Sequence, residues 1–267
     1  MSTESGNPSS WRARVFVDAG SDEATAIQAQ QVAEHLGLSL GPVGSITSQT
    51  QFCLRFTDAG WQLWPPVVDD TYGRQPLQID FVSDPRFSQP MTLREPLAKA
   101  VGLRANRRPL VFDLTAGLGR DAWALASTGC RVVAFERHPL VAFLLADGLR
   151  RAALQASTSA TASRISLLAS DPRAINSGIE GFIDPASVWL MDPMFPERRK
   201  TALVKKAMRI FQALVGSDDD AAELFSWSRQ QSGARWVVKR PPQAPRIDGS
   251  APSMEITSGR IRFDCYL

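Results

Sequence analysis

The 267-residue sequence has few of the residues from which many catalytic and structural centres are built. It contains three cysteines, Cys53, Cys130 and Cys265, and two histidines, His35 and His138. The cysteines are widely separated, odd in number and set among apolar neighbours. Neither a disulfide framework nor a Cys/His zinc site is expected from them. They read instead as small buried hydrophobes in a reducing compartment. Two histidines leave almost no candidates for a Ser-His-Asp triad or a histidine general base. No run of about 18 apolar residues is present, so no transmembrane helix is expected. The first ten residues are polar and lack the apolar core of a signal peptide. These absences point to a cytoplasmic protein with no metal, and no feature calls for more than a monomer.

The rest of the composition is that of a globular protein, 44% hydrophobic and 21% charged. The net charge of +3 is a weak sign of an anionic partner. Its distribution says more: Arg198, Arg199, Lys200, Lys205, Lys206 and Arg209 fall within a dozen residues.

Residues 1–90 read as a small α/β domain. Arg14 to Asp18 has strand character, Ser21 is placed to cap a helix closed by Gly37, and Asp58-Ala59-Gly60 joins two strands of a hairpin. Gln78 to Val82 is a further candidate strand. Residues 91–267 begin with a helix opened by Pro96 and then alternate strand and helix: strands at Leu110–Leu114, Arg131–Glu136, Ile165–Ala169, Val188–Met191 and Trp236–Lys239, with helices between them. Ser157 to Ser163 reads as a loop. Repeated β-α units imply a parallel sheet covered on both faces, and the closing hairpin near Met254–Thr257 and Ile261–Tyr266 implies an antiparallel edge.

Two segments carry the chemistry. In the first, Asp113 ends a strand, Gly117 and Gly119 supply a tight turn, and Arg120-Asp121 opens a helix. Ligands bind at such a turn in open α/β sheets. Glu136 ends the next strand seventeen residues after Gly119, where a carboxylate can accept both hydroxyls of an adenosine ribose. A GxG turn alone does not separate NAD from S-adenosylmethionine (SAM). Asp113 and Asp121 favour SAM, because both can address an ammonium group, whereas a pyrophosphate requires helix amides with no carboxylate close by. Ser170-Asp171, ending the third strand, can reach the adenine amine.

The second segment is Asp192-Pro193-Met194-Phe195, ending the fourth strand. An exocyclic amine on a base is a poor nucleophile because its lone pair is conjugated with the ring. The Asp192 carboxylate and the Pro193 carbonyl can hold the two N–H groups so that the lone pair faces a methyl donor, and Phe195 can stack on the base. Asp192, Pro193 and Phe195 are therefore the candidate catalytic residues. Met194 stands where the usual Asp/Asn-Pro-Pro-aromatic motif has its second proline. Downstream, Leu203, Val204, Ala207, Met208, Ile210, Phe211 and Leu214 form an apolar stripe, with Lys205, Lys206 and Arg209 on the other side. That basic face lies where phosphates flanking a target nucleotide would fall.

The segments Thr115–Ala122, Glu136-Arg137-His138-Pro139, Asp192–Pro196, Thr201–Lys206, Met208-Arg209 with Phe211-Gln212, and Val237–Pro241 together resemble the ribosomal RNA small-subunit methyltransferase J family. The resemblance runs from about Leu97 to the C-terminus. It implies a class I SAM-dependent methyltransferase fold, Rossmann-like, with a mostly parallel seven-stranded sheet and an antiparallel C-terminal strand. It implies transfer of a methyl group from SAM to a guanine N2 of 16S rRNA, free or in the small ribosomal subunit. It also implies SAM contacts at Arg120, Asp121, Glu136, Arg137, Ser170, Asp171 and Asp192; Asp171 replaces one of two small hydroxyl residues usual there. Lys239 and Arg240 join the basic residues expected on RNA. The competing readings are a SAM-dependent enzyme acting on DNA adenine or a protein amide, a non-catalytic nucleotide-binding RNA module, and a dinucleotide oxidoreductase.

Overall fold

The computed structural model describes residues 11–44, 50–67, 69–174, 184–194 and 206–267. In chain order the elements are β1 (Val15–Asp18), α1 (Glu23–Leu36), β2 (Ser39–Gly41), β3 (Phe52–Thr57), β4 (Gly60–Trp64), α2 (Pro96–Ala100), β5 (Val111–Asp113), α3 (Arg120–Ser127), β6 (Val132–Phe135), α4 (Pro139–Ala153), α5 (Ser159–Ala162), β7 (Ile165–Leu168), β8 (Val188–Met191), α6 (Lys206–Val215), α7 (Ala221–Ser228), β9 (Arg235–Arg240), β10 (Met254–Ser258) and β11 (Ile261–Tyr266).

These elements fold into two compact units. One comprises Met1–Ile79 with Pro196–Ser217, the other Asp80–Phe195 with Asp218–Leu267. The division falls at Ile79/Asp80, where the sequence placed a boundary near residue 90, and it assigns α6 to the smaller unit.

In the smaller unit, a four-stranded sheet has the order β2-β1-β3-β4, with β1 parallel to both of its neighbours and β3-β4 a hairpin. Helix α1 is capped by Asp22, whose carboxylate accepts from the Thr25 amide at 3.0 Å while the Thr25 hydroxyl accepts from the Asp22 amide. The cap is thus one residue later than Ser21, because Asp22 has Thr25 three positions on to close a reciprocal box. Gly37 ends the helix in the left-handed conformation, as expected. Gln78 to Val82 is not a strand: Leu77 makes an isolated bridge to Leu63, and the chain then turns, with the Asp80 carboxylate accepting from the amides of Val82 and Ser83. In α6, Ile210, Phe211 and Leu214 are buried, the Arg14 guanidinium donates to the Ala213 carbonyl, and Arg209 donates to the Thr71 carbonyl.

The larger unit is built on a seven-stranded sheet of order β10-β11-β9-β8-β5-β6-β7. Strands β9, β8, β5, β6 and β7 are mutually parallel; β11 runs antiparallel to β9 and to β10. The antiparallel strand is therefore not the edge; β10 is. One face of the sheet buries Phe112, Leu114, Val133, Phe135, Trp189, Met191, Trp236, Val238 and Tyr266 beneath Leu224 and Phe225 of α7. Phe112 stacks on Trp189 with ring centroids 4.5 Å apart. Alternation along each short parallel strand sends the next residue, such as Asp113, to the opposite face. Helix α5 occupies the segment read as a loop: the Thr158 hydroxyl donates to the Ala152 carbonyl, and Ala162 is buried. All three cysteines are free and buried. Among the described residues, no helix is long and apolar enough to cross a membrane.

Candidate functional site

The parallel strands of the larger unit end together, and the loops that follow bring the sequence-derived candidates to one edge. The β5–α3 turn passes through Gly117 and Gly119, both left-handed (φ 55° and 72°). A β-carbon on Gly119 would also lie 2.5 Å from a Leu145 methyl, so only glycine fits that position. The turn is clamped from the neighbouring strand. Glu136, nine-tenths buried, accepts from the Gly117 amide through Oε2 at 2.9 Å and from the His138 amide through Oε1 at 2.7 Å. Each oxygen keeps a second lone pair for a ligand donor.

Asp113 is almost wholly buried. Burial, then the nearby carboxylates Asp121 and Asp192, push its pKa up to about 8 against the Thr115 amide and Lys239. Burial likewise pushes Glu136 up to about 7, opposed by the His138 and Gly117 amides. A site in which carboxyl groups outnumber the cations paired to them suits a ligand that brings hydroxyl donors and cationic groups. SAM carries both, in its ribose diol and in its sulfonium and ammonium. A pyrophosphate would meet the ion-paired carboxylates Asp121 and Asp192 as like charge. The residues present therefore fit SAM.

Lys239 of β9 is held by two carboxylates, Asp121 at 2.9 Å and Asp192 at 2.8 Å. Its own burial lowers its pKa, but Asp121 and Asp192 outweigh that and hold it above the ordinary lysine value. Desolvation also raises Asp192, with Lys239 opposing and Asp121 reinforcing the rise. Because 45% of the Asp192 side chain remains open, the ion pair, which keeps the carboxylate charged, outweighs burial there. Expected on RNA, Lys239 is engaged inside this acidic group instead. Arg240, the next residue on β9, is 5% exposed and so does not present a surface to RNA.

The Asp192–Met194 segment is positioned from both ends. The Asp192 amide donates to the Thr115 hydroxyl at 2.7 Å. The Met194 amide donates to the Asp218 carboxylate at 2.7 Å, and the Asp218 amide donates to the Met194 carbonyl at 2.9 Å. Pro193 between them is buried. Asp218 also accepts from Arg137 at 2.5 Å, and Arg137 reaches Asp220 at 2.7 Å. Arg173 joins Asp220 and, at 2.6 Å, Asp171. The Arg137 bond holds the Asp220 carboxyl down at about 2, and Arg173 lowers Asp171. Arg137 and Asp171, expected on the cofactor, are thus tied into this chain of charges, with Ser170 beside them. Arg120 opens α3 at the glycine turn, its pKa lowered by burial and then by Arg86.

Thr115, Arg173 and Asp218 were not among the sequence candidates. The acidic run Asp218-Asp219-Asp220 reads as a helix-dipole feature, and only its pairing with Arg137 and Arg173 reveals another use. Phe195, Arg198, Arg199, Lys200 and Lys205 lie outside the described residues, as does the side chain of Lys206. Arg209 belongs to the smaller unit.

A mostly parallel sheet with an antiparallel C-terminal strand, a glycine turn clamped by an acidic residue on the next strand, and an Asp-Pro segment on β8 define a Rossmann-like SAM-dependent methyltransferase. The family model for SAM-dependent methyltransferases matches residues 43–267. The ribosomal RNA small subunit methyltransferase J of Stutzerimonas stutzeri is 41% identical over 244 residues, 90% of this chain and 91% of that protein. Its namesake in Thioalkalivibrio sulfidiphilus is 44% identical over 195 residues, 72% and 76% of the two chains. A crystal structure of a SAM-dependent methyltransferase from Neisseria gonorrhoeae, 32% identical, covers 95% of each chain with a TM-score of 0.66. The chain belongs to the ribosomal RNA small subunit methyltransferase J family.

Proposed function

We propose that this enzyme works in the cytoplasm and transfers a methyl group from SAM to the exocyclic N2 of a guanine in 16S rRNA, in keeping with relatives named as ribosomal RNA small subunit methyltransferases. The observation that carries the reading is the convergence of Asp113, the Gly117–Gly119 turn and Glu136 with Asp192-Pro193 at one edge of the parallel sheet. Glu136 would hold the ribose, Asp113 and Asp121 the cationic end of the cofactor, and Ser170 with Asp171 the adenine side. SAM, when bound, supplies an electrophilic methyl group on a sulfonium. Asp192 accepts a hydrogen bond from the base amine and, with the Pro193 carbonyl, turns the nitrogen lone pair toward the donor. As the new N–C bond formed, the methyl–sulfur bond would break with its electron pair left on sulfur as a thioether, and the amine would give up one proton, which Asp192 is placed to receive. Lys239 fixes that carboxylate in orientation. Phe195 is assigned the base-stacking role on its sequence position, and Arg198, Arg199, Lys200, Lys205, Lys206 and Arg209 the flanking phosphates. Positioning of this kind accounts for much of the rate in such in-line transfers.

The test is mass spectrometry of 16S rRNA nucleosides from cells lacking the protein. A loss of one N2-methylguanosine, restored by the wild-type gene but not by an Asp192→Ala variant, is the expected result. An unchanged N2-methylguanosine map would overturn the reading.

A further inference from the structure

The edge of the large sheet opposite the candidate active site has its own chemistry. Each parallel strand there, β8 excepted, starts at or just after an arginine: Arg108 before β5, Arg131 before β6, Arg164 before β7 and Arg235 at the start of β9. Strand pairing sets these starts side by side, since Val111 faces Val132 and Val188, Val132 faces Ile165, and Arg235 faces Val188. Arg104 and Arg107 add two more from the loop before β5, where their backbones bridge each other. None of the six is held by a carboxylate among the described residues. Among the described residues, Asp184 ahead of β8 and Leu267 after β11 fall near this edge in sequence and register. Neither makes an ion pair with the six.

Three of the arginines have a structural use. Arg108 donates to the Thr128 carbonyl, Arg164 to Ala160, and Arg235 to Lys99 and Ala100, each at or near the C-terminal end of a helix. That use does not extend to Arg104, Arg107 and Arg131. The Arg107 and Arg235 guanidinium groups even converge, lying within 3.5 and 3.3 Å of the point a β-carbon on Gly102 would occupy. Two like charges side by side, with no carboxylate between them among the described residues, form a place for an anion.

We propose that this arginine edge is a second RNA-backbone surface, which engages phosphates of the substrate remote from the methylated base. The inference rests on the proposed rRNA substrate. Arg108 and Asp113 are five residues apart, which at strand rise puts about 16 Å between this edge and the cofactor edge. An RNA that touches both must wrap around the larger unit. A short hairpin carrying the target guanine will reach only the cofactor edge, whereas 16S rRNA or the small subunit will reach both. The arginine edge therefore selects for extended, folded RNA.

The experiment replaces Arg104, Arg107 and Arg131 with glutamine, because their side chains make no hydrogen bond among the described residues that the fold would lose. Binding of full-length 16S rRNA is measured across a salt series, with methylation of that RNA and of a short target hairpin measured in parallel. We expect roughly tenfold weaker binding of the long RNA at low salt, and a salt slope flattened by about 0.7–0.9 for each phosphate no longer neutralised. Hairpin turnover and melting temperature should be unchanged. An unaltered salt slope on the long RNA would reduce the edge to a solvated rim and overturn the proposal. An equal loss on hairpin and long RNA would also overturn it, since the change would then act through the active site or the fold. If the wild-type enzyme methylates neither RNA, the proposed function fails, while the binding series still decides whether the edge holds RNA.

Discussion

Glu136 illustrates what one side chain can show in sequence and what it conceals. Its place at the end of the second parallel strand, seventeen residues beyond Gly119, marks it as the candidate ribose-binding carboxylate. The structure adds that both its oxygens already anchor amides of the flanking loops. Glu136→Ala should therefore weaken SAM binding by about 1.5–3 kcal/mol, the range for hydrogen bonds to a charged group, and also loosen the glycine turn. Calorimetry on the folded variant checks this; unchanged affinity would remove β6 from the cofactor site. The two raised carboxyls give a pH prediction. Asp113 and Glu136 have folded-state pKa values of about 8 and about 7, above their ordinary values of 3.8 and 4.5. The folded apo protein thus binds more protons than the unfolded chain across that interval, and the contribution of these groups to stability declines as pH rises from about 4 to about 8. A cationic ligand favours their ionised forms, so SAM binding should release protons. Its affinity should climb between about pH 6 and pH 8 and level off above, and the melting-temperature gain on adding SAM should grow over the same range. A pH-independent affinity would place the positive groups of SAM away from Asp113. What the sequence could not convey at this scale is pairing across the fold: Lys239 reads as one more basic residue until strand β9 sets it between Asp121 and Asp192.

Among the elements, most strands and helices were legible because their periodicity and punctuation agree. Pro139 opens α4, Gly37 closes α1, and Val188–Met191 and Ile261–Tyr266 fall where their apolar runs place them. The exceptions have local causes. Gln78–Val82 has apolar alternation, but Asp80 turns the chain by accepting from the amides that a strand would use in its ladder. The small polar residues of Ser157–Ser163 look like a loop, yet the Thr158 hydroxyl and buried Ala162 support a short helix. The segment after β8 depends on a contact that no local pattern encodes, the reciprocal bonding of Met194 and Asp218. Removing it should act on catalysis. Asp218→Ala deletes a bond to the Met194 amide and one to Arg137, so the Asp192-Pro193 segment loses its downstream anchor. We expect single-turnover methylation to fall roughly ten- to hundredfold, the scale of a small misplacement of reacting groups, with SAM affinity much less affected. A loss of SAM affinity as large as the loss of rate would mean that Asp218 acts through Arg137 on the cofactor.

At the scale of the whole molecule, the sequence conveyed two α/β parts but no sign that the chain returns to the first. Linear reading placed a boundary near residue 90 and left everything beyond it to the methyltransferase domain, since turn-rich composition marks where a chain leaves a unit and not where it comes back. In the structure, Pro196–Ser217 groups with Met1–Ile79, and α6 buries Ile210, Phe211 and Leu214 there. Arg14 and Arg209 tie the same helix to that unit through the Ala213 and Thr71 carbonyls. A chain beginning at Asp80 would keep the complete seven-stranded sheet but strip this helix of its partners. Burying a large apolar side chain contributes about 1.5–3 kcal/mol, so exposing three forfeits several kcal/mol from that segment and leaves an apolar stripe in water. The truncated protein should aggregate or self-associate. Replacing Ile210, Phe211 and Leu214 with polar residues in that truncated chain should restore a monomer that still binds SAM, because every proposed SAM-contacting residue lies in the larger unit. Sedimentation and SAM calorimetry on both chains decide the matter. A truncated chain that stays monomeric without the three replacements would show that α6 does not depend on the smaller unit. A monomeric replaced chain that fails to bind SAM would show that the cofactor site needs more than the larger unit.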